Sequence, residues 1–268
     1  MASAWTTNRR TVTSAFCLLS GLFAIQSVQA QDEESAPLMI PQGWSSGAAY
    51  VSSKQNYRGL KSDSIAVPFI GYESERFYLR GLTAGWIAQR SRQQQLAVTF
   101  NAELFRFRPR ENNDVQMQQL NRRNLSFTLG LQHRYATRHG SFTSHVKTDV
   151  TGRHTGQLAT FRYAYPLNRP GQAWQLSPEI GINYFSQNYV DYYYGVSADE
   201  SVRSGLEEYR PSSAINPVIG LSGYRYFTPR LSAVASYSLA RNDSAISDSP
   251  MVKGRSTRAL FFGISYRF

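Results

Sequence analysis

Long stretches of this sequence alternate between apolar and non-apolar residues with a period of two. In the C-terminal segment, every second residue from Leu260 to Phe268 is apolar, and the residues between them include Gly263 and Ser265. Successive side chains of a β-strand point to opposite faces, so this pattern predicts strands. The alternation lasts about nine to twelve residues, the length that a tilted strand needs to cross a bilayer, whereas strands of soluble sandwiches usually have five or six.

The second face of these segments is rich in Gly, Ser, Thr and Asn, with scattered charges, which suits a barrel lumen better than a soluble surface. Tyrosines such as Tyr165 and Tyr184 cluster at segment ends, as in the aromatic girdles of membrane interfaces. Beyond residue 30 there is no apolar run of the ~20 residues that a spanning helix needs. The predicted fold class is therefore all-β, a transmembrane antiparallel outer-membrane β-barrel.

The strand-like runs number eleven, whereas bacterial single-chain barrels normally have even strand numbers. We therefore expect one miscounted run before residue 95, and predict twelve strands with ten as the alternative. Three long connections are predicted outside the cell, at 107–123, 187–213 and 242–256; the short turns Thr137–Gly140, Asn168–Gln172 and Phe227–Arg230 are predicted in the periplasm. The runs are 44–53, 64–73, 77–88, 95–106, 124–135, 141–150, 157–167, 173–186, 214–226, 230–241 and 258–268.

The N-terminus has the pattern of a secretory signal peptide over residues 1–30. Arg9 and Arg10 precede an apolar stretch, and Ala30 supplies the small residue at the cleavage site. Residues 31–42 are predicted to be a flexible periplasmic lead-in and residues 43–268 the barrel. The single cysteine lies in the signal, so the mature chain has neither a disulfide nor a cysteine-based zinc site.

Charged residues on the non-apolar faces are predicted to line the lumen, where they can reach across and form ion pairs. A hydrolytic site combining His145 with Asp149 is the alternative. We predict no catalytic residue, metal site or cofactor, and we expect His154, in a glycine-flanked turn, to be exposed to solvent. The lumen candidates are Glu103, Arg134, His145, Lys147, Asp149, Arg162, Glu179 and Arg267.

The formal net charge is +11, and arginine supplies most of the 29 basic residues. Arginine forms bidentate hydrogen bonds to phosphate, so an arginine-rich external loop predicts contact with lipopolysaccharide as well as with outer-membrane lipid. An ordinary solvated loop is the alternative. Export to the envelope argues against nucleic acid as a partner. The loop arginines are Arg106, Arg108, Arg110, Arg122 and Arg123.

Several segments together resemble the MipA/OmpV family. They are the stretch from Tyr193 to Tyr209, the segment from Asp149 to Gly156, the Ser249–Val252 segment and the ending Gly263–Phe268. The first stretch is the most family-like and is our candidate functional loop. Its candidate residues are Tyr193, Tyr194, Gly195, Val196, Ser197, Ala198, Asp199, Arg203, Ser204, Gly205, Leu206 and Tyr209.

The resemblance implies a non-enzymatic outer-membrane scaffold for peptidoglycan-remodelling enzymes. Its implied partners are a lytic transglycosylase and a peptidoglycan synthase. Other members of the family are described as adhesins or surface proteins, and a small porin-like channel is a further alternative. The resemblance carries no catalytic residues over to this sequence.

Overall fold

The computed structural model describes residues 42–54, 56–60, 63–168 and 172–268, with the backbone alone at Lys54 and Asp63. The predicted signal peptide and residues 31–41 of the lead-in lie outside the described residues, as does part of the predicted turn Asn168–Gln172. No helix within the described ranges is long and apolar enough to cross a membrane.

Twelve antiparallel strands form a closed barrel in which each strand pairs with its neighbours in the chain. The first and last strands close it through a register that runs from Ser45 opposite Arg267 to Lys54 opposite Arg258. The predicted fold class and the count of twelve are confirmed. The strands are β1 Gly43–Lys54, β2 Asp63–Glu73, β3 Phe77–Arg80, β4 Thr83–Arg90, β5 Gln94–Glu103, β6 Ser126–Thr137, β7 Gly140–Asp149, β8 Gln157–Ala164, β9 Trp174–Phe185, β10 Ala214–Tyr226, β11 Leu231–Arg241 and β12 Ser256–Arg267.

The miscounted run is 77–88, which is wrong as a single strand. The chain reverses at Gly81 and Leu82, where Gly81 has a φ of +58°, a left-handed conformation that favours glycine. The resulting β3–β4 hairpin is short, and only Gly71–Glu73 of β2 pair with β3. Along its outer part β2 therefore has a described strand partner only on its β1 side.

The two faces of the strands separate as the alternation predicts. On β12 the side chains of Leu260, Phe262 and Ile264 are 42–44% exposed, as expected for a surface that contacts lipid. Phe261 between them is 1% exposed, and Ala49 and Val51 of β1 pack beside it inside the barrel. The last strand therefore presents its apolar stripe outward.

The connections at one end of the barrel are short turns, and several at the other end contain helices. Outer-membrane barrels have short periplasmic turns and longer external loops, so the helical connections lie outside. These helices are a 3-10 turn at Pro109–Glu111, α1 Val115–Gln118, α2 Gln187–Tyr194, α3 Ala198–Ser204 and α4 Ser244–Ser247.

Candidate functional site

The three long connections, 104–125, 186–213 and 242–255, meet over the outer mouth of the barrel; we call them the external cap. Their buried apolar side chains form one cluster with Tyr57 of the β1–β2 connection and with residues at the outer strand ends. Removal of so much apolar surface from water makes the cap an ordered layer. Its largest fully buried members are Phe107, Met117, Val190, Tyr193, Val196 and Met251.

Tyr193 lies at the centre of this cluster and is fully buried. Its hydroxyl lies 3.3 Å from the carbonyl oxygen of Phe105 and 3.2 Å from that of Asn124. Its own carbonyl accepts a 2.8 Å hydrogen bond from the hydroxyl of Tyr57. A single residue of α2 thus joins two other connections, and its buried polar groups are all satisfied.

Glu200, on α3, links the helix to the first long connection through a buried ion pair. Its carboxylate lies 2.9 Å from Nη2 of Arg123 and accepts a 2.8 Å hydrogen bond from the backbone N–H of Asn121. It also completes a capping box with Ser197 at the start of α3. The side chains of Glu200 and Arg123 are 3% and 9% exposed, so the pair is nearly desolvated.

The environment of Glu200 favours its ionised form. Burial by itself would raise the pKa of this carboxyl, but the hydrogen bonds and charge of Arg123, together with the N–H groups of Asn121 and Ser197, lower the pKa below its ordinary value. Glu200 is therefore held as a carboxylate that joins two parts of the cap.

Most residues of the candidate functional loop pack inside the external cap. Tyr193, Gly195, Val196, Ser204 and Leu206 are buried, and Tyr194 and Tyr209 are partly buried. Gly205 ends α3 with a φ of +68°, and a bridge between Val196 and Tyr209 closes the loop. The Tyr209 hydroxyl donates to the carbonyl of Ala245 in α4, 3.2 Å away. The outward, exposed positions are Ser197, Ala198, Asp199, Arg203 and Gly205.

Below the cap, a polar network lines the wall formed by β5, β6 and β7. Nζ of Lys147 lies 2.6 Å from a carboxylate oxygen of Glu103, which also accepts a 3.2 Å hydrogen bond from Thr128. Nε2 of His145 lies 2.8 Å from Oγ1 of Thr99. All these side chains are at most 4% exposed, so the outer half of the lumen is filled here rather than hydrated.

The expectation that lumen charges reach across the barrel is wrong for the pairs that the structure describes. Glu103 and Lys147 meet over Gly130 of the intervening strand, where a side chain would collide with Lys147. Arg162 donates to the amide oxygen of Asn183 on the next strand, 2.7 Å away, and Glu179 accepts from the hydroxyl of Ser222. These partners lie on neighbouring or next-but-one strands, because a pair along the wall spans a shorter distance.

The prediction that His154 is exposed to solvent is wrong. Its side chain is buried against Tyr189, Tyr192 and Tyr193. Its Nε2 lies 3.2 Å from the Ser126 hydroxyl, and Nδ1 lies 4.0 Å from Asp149. The three residues have the composition of a catalytic triad. Nδ1, however, accepts the backbone N–H of Gly156, at 3.0 Å, so Nε2 of the neutral ring carries the proton.

This tautomer donates to the Ser126 hydroxyl and therefore does not accept its proton. Burial lowers the pKa of His154, against the opposing charges of Asp149 and Glu103, and so favours the neutral ring. Ser126 and His154 are at most 4% exposed, and substrate has no access to them. The three residues stabilise the loop.

Asp149 does not complete a row of lumen charges with His145. Its carboxylate accepts hydrogen bonds of 2.8–3.0 Å from the backbone N–H groups of Thr151, His154 and Thr155, and so fixes the β7–β8 connection. Four residues along a strand separate it from His145 by about 13 Å. The hydrolytic alternative for this pair is therefore wrong. Within the described ranges, no three His, Cys, Asp or Glu residues converge as metal ligands would.

The arginine-rich connection divides into buried and exposed members. Arg123 is held by Glu200, and Arg108 lies 2.8 Å from Glu111, so the expected phosphate contact is wrong for Arg123. Arg110 and Arg122 are exposed on the outer surface. Arg106 is partly buried.

The closed barrel, its lipid-facing stripe and its capped outer mouth define an outer-membrane β-barrel protein. The family model for the MltA-interacting protein MipA matches residues 46–268, and the chain belongs to this family. It is 32% identical over 222 residues to the outer membrane protein YiaT of Escherichia coli K12, covering 83% of this chain and 89% of that protein. It is 29% identical over 225 residues to the MltA-interacting protein of the same strain, covering 84% and 90% respectively.

Among solved structures, the barrel is similar to an outer-membrane channel from Pseudomonas putida F1. The TM-score is 0.47 at 11% sequence identity, and the match covers 88% of this chain and all of the other.

Sequence reasoning passed over Glu200 as a functional charge. The signal was present, because the segment from Ser197 to Glu200 has the S-x-x-E spacing of a capping box, which marks a helix start inside a presumed loop. The partner Arg123 has no such local signal, since it lies 77 residues away in the chain.

Proposed function

We propose that this protein is a non-enzymatic scaffold that holds a lytic transglycosylase and a peptidoglycan synthase at the outer membrane. The observation that carries the proposal is a lumen filled along β5–β7 below a capped outer mouth, which argues against a solute path. Family membership supports the class of partner, since a relative bears the name MltA-interacting protein. The proton position on His154 supports the non-enzymatic part.

The periplasmic rim of the barrel offers a surface for such partners. Exposed arginines lie at or beside four of the periplasmic turns. Among the described residues of those turns, Glu75 is the exposed acidic residue. A basic rim attracts an acidic protein surface and raises the rate of encounter. The rim arginines are Arg76, Arg92, Arg138, Arg225 and Arg230.

Reversing three rim charges tests the proposal. A variant with Arg92→Glu, Arg138→Glu and Arg230→Glu is expected to capture about tenfold less transglycosylase in crosslinking from intact cells, because complementary charge becomes repulsion. The matched control reverses the external residues Arg110 and Arg122 and is expected to capture as much as wild type. Equal capture by the rim variant, or equal loss in the control, would contradict the scaffold.

The variant that reverses Arg110 and Arg122 also tests whether the outer surface contacts lipopolysaccharide. Arg110 and Arg122 are exposed, and guanidinium groups bind phosphate, so these side chains fit contact with lipopolysaccharide phosphates. Reversing both is expected to reduce the lipopolysaccharide that co-purifies with the barrel, and unchanged co-purification would count against this contact.

A further inference from the structure

A cavity of about 130 Å³ opens at the periplasmic end of the lumen. It is lined by Arg80, Arg267, Glu73, Tyr224 and Tyr226 together with three serines. Since one water needs roughly 10–15 Å³, the cavity has room for about ten water molecules. We call it the periplasmic vestibule. Its serines are Ser45, Ser232 and Ser265.

Positive charge around the vestibule exceeds negative charge. Glu73 accepts hydrogen bonds of 2.8 and 3.0 Å from Arg80 and lies 3.6 Å from Arg90, so one carboxylate serves two guanidinium groups. In this half of the lumen five inward arginines face two glutamates among the described residues. They are Arg80, Arg90, Arg134, Arg162 and Arg267, against Glu73 and Glu179.

Three of these arginines, Arg134, Arg162 and Arg267, have no carboxylate of this chain within ion-pair distance in the part of the chain that the structure describes. Arg162 is held instead by the amide oxygen of Asn183. Nε of Arg134 is buried without a hydrogen-bond partner, and the side chain extends from β6 towards Arg80 and Tyr224. Arg267 lines the cavity directly, from the end of β12. A guanidinium beside a small cavity inside the barrel is stabilised by a counter-anion, since the low-dielectric walls weaken the screening of its charge.

We propose that the periplasmic vestibule binds an oxyanion, the carboxylate or phosphate group of a ligand that enters from the periplasm. Arg267, which lines the cavity, supplies charge-assisted hydrogen bonds, and the serine hydroxyls supply further donors. Arg134 lies behind this lining, close enough to Arg80 and Tyr224 for its charge to add to the positive potential of the cavity. The rings of Tyr224 and Tyr226 provide an apolar wall for the part of the ligand that bears the anion. The external cap and the filled wall at β5–β7 leave the periplasm as the side of entry. This site is independent of the scaffold role.

Calorimetric titration of the purified full-length barrel in detergent tests the site, with citrate as the carboxylate probe and inorganic phosphate as the phosphate probe. Wild type is expected to bind one of them, more weakly as salt rises. Arg267→Gln is expected to weaken binding about tenfold, because it removes a direct donor. Arg134→Gln, tested separately, is expected to weaken binding by a smaller factor, because it removes only a neighbouring charge. Arg258→Gln is the matched control, because Arg258 is exposed near the outer end of β12, far from the cavity.

Each variant is first checked for folding by its altered gel mobility without boiling, and either substitution alone suffices for the test. The stronger of the two probes identifies the anion type. Failure of wild type to bind both probes, or binding by Arg134→Gln and Arg267→Gln that equals the control, would overturn the proposal.

Discussion

Replacing Arg123 with Ala is expected to open the external cap and to lower the free energy of unfolding by roughly 3–5 kcal/mol, the range for breaking a buried ion pair. The cause is Glu200, which would remain buried with an uncompensated charge beside α3. Urea unfolding and protease cleavage within 186–213 measure the two effects. The adjacent Arg122→Ala is the control, and since Arg122 is exposed we expect a change within about 0.5 kcal/mol. Equal effects of the two substitutions would refute the role of the pair.

The same ion pair makes the cap sensitive to acid. The pKa of Glu200 is lower in the folded protein than its ordinary value, so its contribution to stability is complete above that value, about 4.3. The contribution is lost as the pH falls through the lower pKa of the folded state. Pepsin cleavage of the cap is therefore expected to accelerate below about pH 4 in wild type, and less so in Glu200→Gln.

Replacing Ile264 with Arg is expected to destabilise the barrel by roughly 2–4 kcal/mol if the side chain lies at the bilayer midplane. Ile264 is 44% exposed on the outward face of β12, so the new charge would enter lipid. Ser265→Arg is the matched control, because Ser265 faces the vestibule and its replacement remains near water. Unfolding in lipid vesicles and the fraction with altered gel mobility measure both variants. Equal destabilisation would show that the assigned faces are wrong.

The local alternation of apolar and non-apolar residues predicts most of the strands. The pattern from Leu260 to Phe268 predicted both the strand and its lipid face, because strand geometry ties every side chain to its neighbours. The run 77–88 was wrong, since one glycine at position 81 reverses the chain and the residues on both sides still alternate. Even strand number, a property of the closed barrel rather than of the segment, corrected the count.

The cap was not predictable in the same way. Its contacts join distant parts of the chain, such as Arg123 with Glu200 and Tyr57 with Tyr193, so no local spacing reveals them. His154 shows the same limit: its Gly-flanked turn has the pattern of a solvated loop, and only α2, more than thirty residues later, buries it. The contact of Glu103 with Lys147 over Gly130 likewise depends on the register of the strands, which the local pattern does not specify.

Conductance of the purified barrel in planar lipid bilayers distinguishes a closed lumen from a channel. In the part of the chain that the structure describes, side chains fill the lumen at β5–β7 and the external cap covers its outer mouth, above the periplasmic vestibule. We expect no reproducible unit conductance across the range of voltages that intact bilayers tolerate. Stable unit steps from pure protein, absent from control bilayers without it, would contradict the filled lumen and favour the channel.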